Sequence, residues 1–527
     1  MPKVDKLIVT NFAALREKYG SHGVAAIRRA VKTLVDADTE RGLSTRLVDL
    51  GSRPAMHALR GPHVEDRGDD RANKESIDSA CEALAPDYLL ILGTTDVVPH
   101  QRLLNPLFRP NPDYDDDRYA LGDLPYACAA PYSQRIEDFR GPTRVVGRLP
   151  DLTGAREPSV LLRLLRIATR YRTRPAEAYG TCFGLSASIW RYSTAESIRH
   201  LGPAQGTLYL SPGSRSAPNW TASQLAPRLH FINCHGATAD PRFFGQRNSQ
   251  SENYPVAHAA RHLDGLVSEG TVVAAECCFG AELYDPCRFH HQTPGICYAY
   301  LVGGAYGFLG SSTISYGPSR GNARADLICR YFFERLLLGA SLGRALLEAR
   351  QQFVLDTPLL HPSDLKTLAQ FSLLGDPSIH PVAPERPALE KAPVFERVVS
   401  RRSALPPGRE LRRDRLRRTG SLLVDTVGAV RRARDLRPPA SVRRVLMAAA
   451  RPSGLTAARA HFISFAVHDP AGRRIDRQAK VRADHPSAVH TVIGPVHRRG
   501  GPIKRIVLVS ATMQDRRIVM LRRLHSR

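Results

Sequence analysis

Cysteine is scarce and stops early, with nine in 527 residues and none beyond Cys329. A dense disulfide framework is thereby excluded, and no Cys-x-x-Cys pair with zinc-ligand spacing occurs. The thiols read as reduced and mostly buried, which leaves room for one of them to be a nucleophile. No long apolar core and no small-residue cleavage site follow the lysines of MPKVDKLIVTNFAALREKYG. The stretch does not read as a secretory signal, and a cytoplasmic protein is the expectation. Residues 296–314 lack charge and approach membrane-spanning length, but Gly303, Gly304, Gly307 and Gly310 break them into a helix end and a buried strand, so no membrane segment is expected. No repeat of 20–50 residues stands out.

Acidic residues thin out toward the far end. Residues 381–527 hold 33 Lys and Arg against 11 Asp and Glu, whereas residues 1–380 hold 42 against 39, so nearly all of the +25 formal charge sits in the last part. A nearly neutral body followed by a strongly basic C-terminal region suits an anionic partner, nucleic acid or an acidic protein; a merely solvated basic face gives the same composition. At 43% hydrophobic and 24% charged residues, disordered and fibrous classes are excluded.

What is present is alternation. β-rich apolar runs (LIVTNF, TRLVDL, YLLILG, RVVGRLP, TCFGLSAS, GTLYLS, LHFINCHG, TVVAAECCFG, GAYGFLGSS) are spaced by helix-length segments through residue 380. Runs apolar on both faces at that spacing predict an α/β fold with a mainly parallel sheet under helices. Apolar periodicity predicts helices over 23–38, 156–173, 322–338 and 341–354. The expected domains are 1–175 and 176–381, two α/β subdomains in tandem, then an Arg/Pro-rich linker at 382–455. AHFISFAVHD, AVHTVIGPV and IKRIVLVSATM predict a small basic β-sandwich over 456–527.

Two strand ends are chemically loaded. LHFINCHG ends in His235-Gly236, and TVVAAECCFG ends in Glu276-Cys277-Cys278-Phe279-Gly280. In open parallel sheets functional groups collect at strand C-termini, so neighbouring strands place an imidazole and a thiol on one edge. A thiol is mostly protonated at neutral pH, and a nearby histidine supplies the base it needs. Gly236 lets backbone approach closely, and the N–H groups of Gly236 and Cys278 can hold an oxyanion. Cys234, by alternation, is core. The run Asp113-Tyr114-Asp115-Asp116-Asp117 reads either as a calcium-holding loop or as a solvated one.

These motifs resemble the caspase, legumain, clostripain and gingipain superfamily of cysteine peptidases. Residues 229–236 match its strand ending in His-Gly, and 271–280 match its strand ending in an acidic residue, Ala and the catalytic Cys. The gingipain likeness extends to GAYGFLGSSTIS (304–315), Arg320-Gly321 and FSLLGDPSIHP (371–381), covering roughly residues 85–381 and none of the basic region. It implies a caspase-like three-layer sandwich and a cysteine endopeptidase with His235 and Cys278 as its dyad. Alignment on Cys-x-x-Gly selects Cys277 instead, and both cysteines stay open. In the resembling family an acid in the loop following the strand before His-Gly selects basic side chains before the scissile bond; here Ser197 falls at the matching place and Glu196, one residue earlier, is the candidate acid, with Ser312 and Tyr316 as further candidate substrate-binding residues. A protein or peptide is the implied substrate, and no metal or organic cofactor is needed. Two other classes remain: a peptidase-like scaffold whose basic region binds nucleic acid or an acidic protein, and a thiol acyltransferase using the same dyad.

Overall fold

The computed structural model describes residues 4–201, 205–213, 220–357, 359–383, 409–475, 486–496, 503–514 and 517–527. All nine apolar runs form strands of one ten-stranded sheet. Its first half holds β1 (Lys6–Thr10), β2 (Thr45–Asp49), β3 (Tyr88–Leu92) and β6 (Val145–Leu149). The second half holds β7 (Thr181–Ala187), β8 (Gln205–Ser211), β9 (Leu229–Asn233), β13 (Val272–Ala275) and β14 (Gly307–Ser311). Between them runs β17 (Phe371–Gly375), giving the order β2-β1-β3-β6-β17-β14-β13-β9-β7-β8. Pairing is parallel within each half, while β17 is parallel to β6 and antiparallel to β14, so the two halves point in opposite directions. Their strand C-termini therefore open on opposite edges.

Apolar burial drives this arrangement. β13 is buried throughout, as are Leu229, Phe231 and Ile232 of β9 and Phe308 and Leu309 of β14. Each large side chain withdrawn from water contributes about 1.5–3 kcal/mol. Helices form at Phe12–Glu40, Ser159–Arg170, Ala325–Leu337 and Leu342–Leu355, within a few residues of the four predicted ranges except that the first starts earlier. Residues 296–314 divide as expected, into the helix Ile296–Gly303, a left-handed Gly304 and the buried β14. Among the described residues no helix is long and apolar enough to cross a membrane.

The C-terminal region departs from expectation. Residues 384–408 of the expected linker lie outside the described residues, but the remainder forms the helices Arg409–Thr426 and Ala440–Ala450 and the strand β18 (Gly428–Arg432). In place of a sandwich of two sheets there is one curled sheet. It orders β15 (Tyr316–Gly317), β22 (Arg517–Ser526), β21 (Ile506–Gln514), β20 (Ala488–Pro495), β19 (His461–His468), β18 and β16 (Leu359–Leu360). One face packs on the helix Ala440–Ala450 through Val442 and Leu446. The other presents Phe465, Val489, Ile493 and Leu508 to Tyr114, Cys278, Ile314 and Tyr316 of the body. A second layer of strands is unnecessary because a helix and the α/β body cover both faces.

Smaller sheets finish the framework: β4 (Gln101–Leu104) with β5 (Tyr119–Gly122), and β10 (His235–Gly236) with β11 (Arg242–Phe244) and β12 (Val256–Ala259).

Candidate active site

β9 and β13 are parallel neighbours paired Leu229 with Val272 through Ile232 with Ala275. Continuing that register sets His235 and Cys278 side by side just past the strand ends. A Cβ on Gly236 would fall 1.8 Å from the Cys278 carbonyl oxygen, so only glycine permits this approach of the two backbones. Phe279, directly after the thiol, holds a left-handed φ of 55°, a strain typical of turns that present a reactive group. Glu282 ties the two loops together, accepting from the Ala239 N–H at 2.6 Å and the Thr238 hydroxyl at 3.0 Å. Burial first, opposed by those bonds, holds its carboxyl up at about 7.

Alternation separates the two candidate sulfurs. Cys277 Sγ points into the main core, where the Cys234 N–H donates to it at 3.4 Å. Cys278 Sγ lies on the side of the C-terminal sheet, between the N–H of Ser315 at 3.3 Å and the Ser315 carbonyl at 3.6 Å. Burial drives the Cys278 thiol up to about 12, so it is a thiol rather than a thiolate here.

His235 packs against Trp190, ring centroids 4.4 Å apart, and against Tyr254. Gln246 sets its tautomer. The Gln246 amide NH₂ donates to the carbonyls of Asn248 at 2.8 Å and Ser251 at 3.2 Å, which turns Oε1 toward the ring. His235 Nε2 therefore carries the hydrogen and donates to Oε1 at 2.9 Å, leaving Nδ1 as the basic nitrogen. Nδ1 is buried and has no hydrogen-bond partner among the described residues. Burial above all, helped by the charges of Arg505 and Arg527, lowers this imidazole to about 3.

A peptide strand covers both groups. β22 pairs antiparallel with β15, Ser526 opposite Tyr316 and His525 opposite Gly317, and the Arg527 N–H donates to the Ser315 carbonyl at 3.1 Å. The Cys278 N–H, one of the two expected oxyanion donors, points at the Arg527 carbonyl at 3.4 Å. The guanidinium of Arg527, fully buried, enters a pocket behind the strand ends. Its Nη1 donates to Asn233 Oδ1 and lies 3.4 Å from Glu276 Oε2, while Nη2 donates to Asp326 Oδ1 at 2.7 Å and the Pro318 carbonyl at 3.1 Å. Trp190 lies against it, ring centroid 4.7 Å away. Thr194 aims Asn233 by accepting from its Nδ2 at 2.9 Å. Burial, then the charge of Asp326, holds the Glu276 carboxyl well above the usual range.

Several expected site residues lie elsewhere. Glu196 sits on the surface, paired with Arg199 at 2.6 Å and His200 at 3.2 Å. A short amphipathic helix turned it outward, and Asp326 and Glu276 are the acids at the pocket. Ser312 is buried and its hydroxyl donates to the Leu121 carbonyl. Tyr316 pairs with the strand through its backbone, while its hydroxyl donates to Asp115 at 2.8 Å. The acidic run neither faces solvent as a whole nor holds a cation site among the described residues. Asp115 is buried against Lys366 at 2.8 Å, Asp117 reaches the same lysine at 3.1 Å, and Asp116 pairs with Lys504.

Glu276 and Asn233 were within reach of sequence reading, because they lie two residues before Cys278 and His235 and alternation puts each on the same side. Gln246, Asp326 and Arg527 gave no local signal.

Residues 259–382 match the family described as Peptidase family C25. That stretch of the chain is similar to a peptidase family. This C25 segment holds Cys278, β14, β15 and the FSLLGDP stretch, and the gingipain-type resemblance read from the motifs stands. Among solved structures, one titled "Structure of Protease" shares 11% identity over 100% of this chain and 98% of its own, with a TM-score of 0.47. A Saccharomyces cerevisiae separase–securin complex at 3.0 Å shares 12% identity over 45% of this chain and 14% of its own, with a TM-score of 0.28. Scores this low carry no argument about this site. No curated protein matches the sequence.

Proposed function

We propose that the chain is a cysteine endopeptidase on a caspase-like frame, with Cys278 as nucleophile and His235 as its base and acid, cleaving after basic residues. The observation that supports this most is a peptide already lying on the nucleophile, with its backbone paired to Tyr316–Gly317 and one carbonyl directed at the Cys278 N–H. That is the pose a substrate needs. Cys278 Sγ attacks the carbonyl carbon, the C=O electron pair moves to oxygen, and the N–H groups of Cys278 and Gly236 hold the oxyanion. His235 takes the thiol proton and delivers it to the leaving amine; water then releases the acyl group and restores the thiol. Paired acids at Glu276 and Asp326 favour a cationic side chain before the scissile bond.

An arginyl acyloxymethyl ketone should label the full chain on Cys278, located by peptide mass spectrometry. Cys278→Ala should abolish both labelling and hydrolysis of arginyl fluorogenic peptides, while Cys277→Ala keeps them. Hydrolysis surviving Cys278→Ala would overturn the assignment.

A further inference from the structure

Both members of the dyad are sealed, His235 1% and Cys278 2% exposed, and a nucleophile without access to solvent cannot turn over substrate. The covering element is part of the same chain. Its contacts go beyond packing. The strand pairs with β15 as a peptide added to a free sheet edge does, antiparallel and in register. Arg527 then turns a planar guanidinium into a pocket with polar groups on each side: Asn233 accepts at one nitrogen, with Glu276 3.4 Å from it, and Asp326 and the Pro318 carbonyl accept at the other. A lysine, with one nitrogen, cannot span these acceptors. Gly317 makes the passage possible. A Cβ there would come within 2.0 Å of Arg527 Nη2 and 2.4 Å of Nε, although the Gly317 backbone lies outside the left-handed region. Its lack of a side chain serves the guanidinium rather than the turn.

We propose that β22 and Arg527 are a built-in occupant of the substrate cleft. Arg527 fills the specificity pocket of Asn233, Glu276, Asp326 and Gly317, and external substrate enters only when this strand withdraws. The inference rests on the peptidase reading of Cys278 for its meaning, but the occupancy can be measured without catalysis. Withdrawal is local. The main-chain contacts to the body are short, the two-residue β15 and the bonds of Arg527 to Ser315 and Cys278, whereas β22 remains paired with β21 along its length. The other half of β22 already faces solvent, with Val519 51%, Met520 41% and Leu521 44% exposed. The charge of the pocket matches its guest: two buried carboxyls, Glu276 and Asp326, face a single guanidinium.

The test compares full-length wild type, Arg527→Ala and Gly317→Ala. Alkylation of Cys278 by iodoacetamide, followed by peptide mass spectrometry, reports access; an arginyl aminomethylcoumarin peptide reports hydrolysis. Arg527→Ala should alkylate about tenfold faster or more, since several charge-assisted hydrogen bonds hold the residue in place. It should also gain hydrolysis, and a synthetic peptide of residues 521–527 should suppress both. Gly317→Ala should alkylate faster without gaining hydrolysis of arginyl substrates, because its Cβ blocks any arginine, and it serves as the second variant should Arg527→Ala misfold. Equal alkylation of wild type and both variants would overturn the proposal while leaving the peptidase reading intact. Faster alkylation of Arg527→Ala with no hydrolysis would uphold the occupancy and sink the peptidase reading.

Discussion

At the scale of single residues, chemistry here is decided by what orients each group. Cys277 and Cys278 are adjacent and identical in type, yet strand alternation sends one sulfur to the core and the other to the cleft. The imidazole of His235 is equally neutral with its hydrogen on either nitrogen, and Gln246 chooses, because its own NH₂ is committed to two backbone carbonyls. If His235 is the base proposed above, Gln246 is a positioning residue. In an Arg527→Ala background, Gln246→Leu should lower kcat/KM by about tenfold or more, as a general base loses its fixed tautomer. Gln246→Glu should instead stabilise the imidazolium and move the acidic limb of the pH–rate profile to higher pH. A structural role alone would leave that limb in place.

Among secondary-structure elements, β17 is the joint between two oppositely directed half-sheets. Gly375 ends it with φ 151°, and a Cβ there would meet the Tyr306 carbonyl oxygen at 2.6 Å. The FSLLGDP stretch thus has a structural reason for its glycine. Asp376 follows it and accepts from the buried Lys6, tying the joint to β1. Gly375→Ala should cost about 1–3 kcal/mol of stability, read from the chemical denaturation midpoint, by combining a disfavoured φ with a backbone clash. The apolar strands were legible from sequence because burial on both faces writes a continuous hydrophobic run. β22 was not, since RIVMLRRLHS places arginine on its open face and keeps burial for its last residues. The helix Arg409–Thr426 was masked in the same way, its arginine content reading as linker.

Across the whole molecule, the basic C-terminal region and the body complement each other in charge. Arg431 meets Glu137 at 3.0 Å, Arg522 meets Asp364 at 3.7 Å, Lys504 meets Asp116, and Arg527 meets Asp326 at 2.7 Å. Part of the excess charge that composition assigned to an external anion is met inside the fold. The fold also buries neutral imidazoles: His100, His230 and His361 are held down at about 4, and His235 and His525 at about 3, burial being the largest cause for each. Their ordinary value in the unfolded chain is about 6.5. Below that pH the unfolded chain binds protons the folded protein refuses, so their stabilising contribution is complete above pH about 6.5 and declines as pH falls toward the folded values. Each contributes a slope of up to about 1.4 kcal/mol per pH unit. Glu282, held up at about 7, acts in the opposite direction: its contribution is present below its unfolded value and is lost as pH rises through 7. The buried imidazoles should make the urea midpoint fall between pH 6.5 and pH 5, opposed in part by the raised carboxyls of Glu276 and Glu282; a midpoint that rises over that range would contradict the burial of the imidazoles.

The succession of strands along the chain, the helices between them, the two loaded strand ends and the peptidase resemblance were determined by the sequence alone, because period and burial are local signals and His-Gly and acid-x-Cys lie within them. Which acids line the pocket, which amide orients His235, and that Arg527 lies beside Cys278 were decided only by tertiary structure. Asp326 lies 48 residues from Cys278 and Arg527 lies 249 residues away, counted along the chain. Their meeting depends on how a curled sheet docks on a body, and no local pattern of residues encodes a distance of that kind.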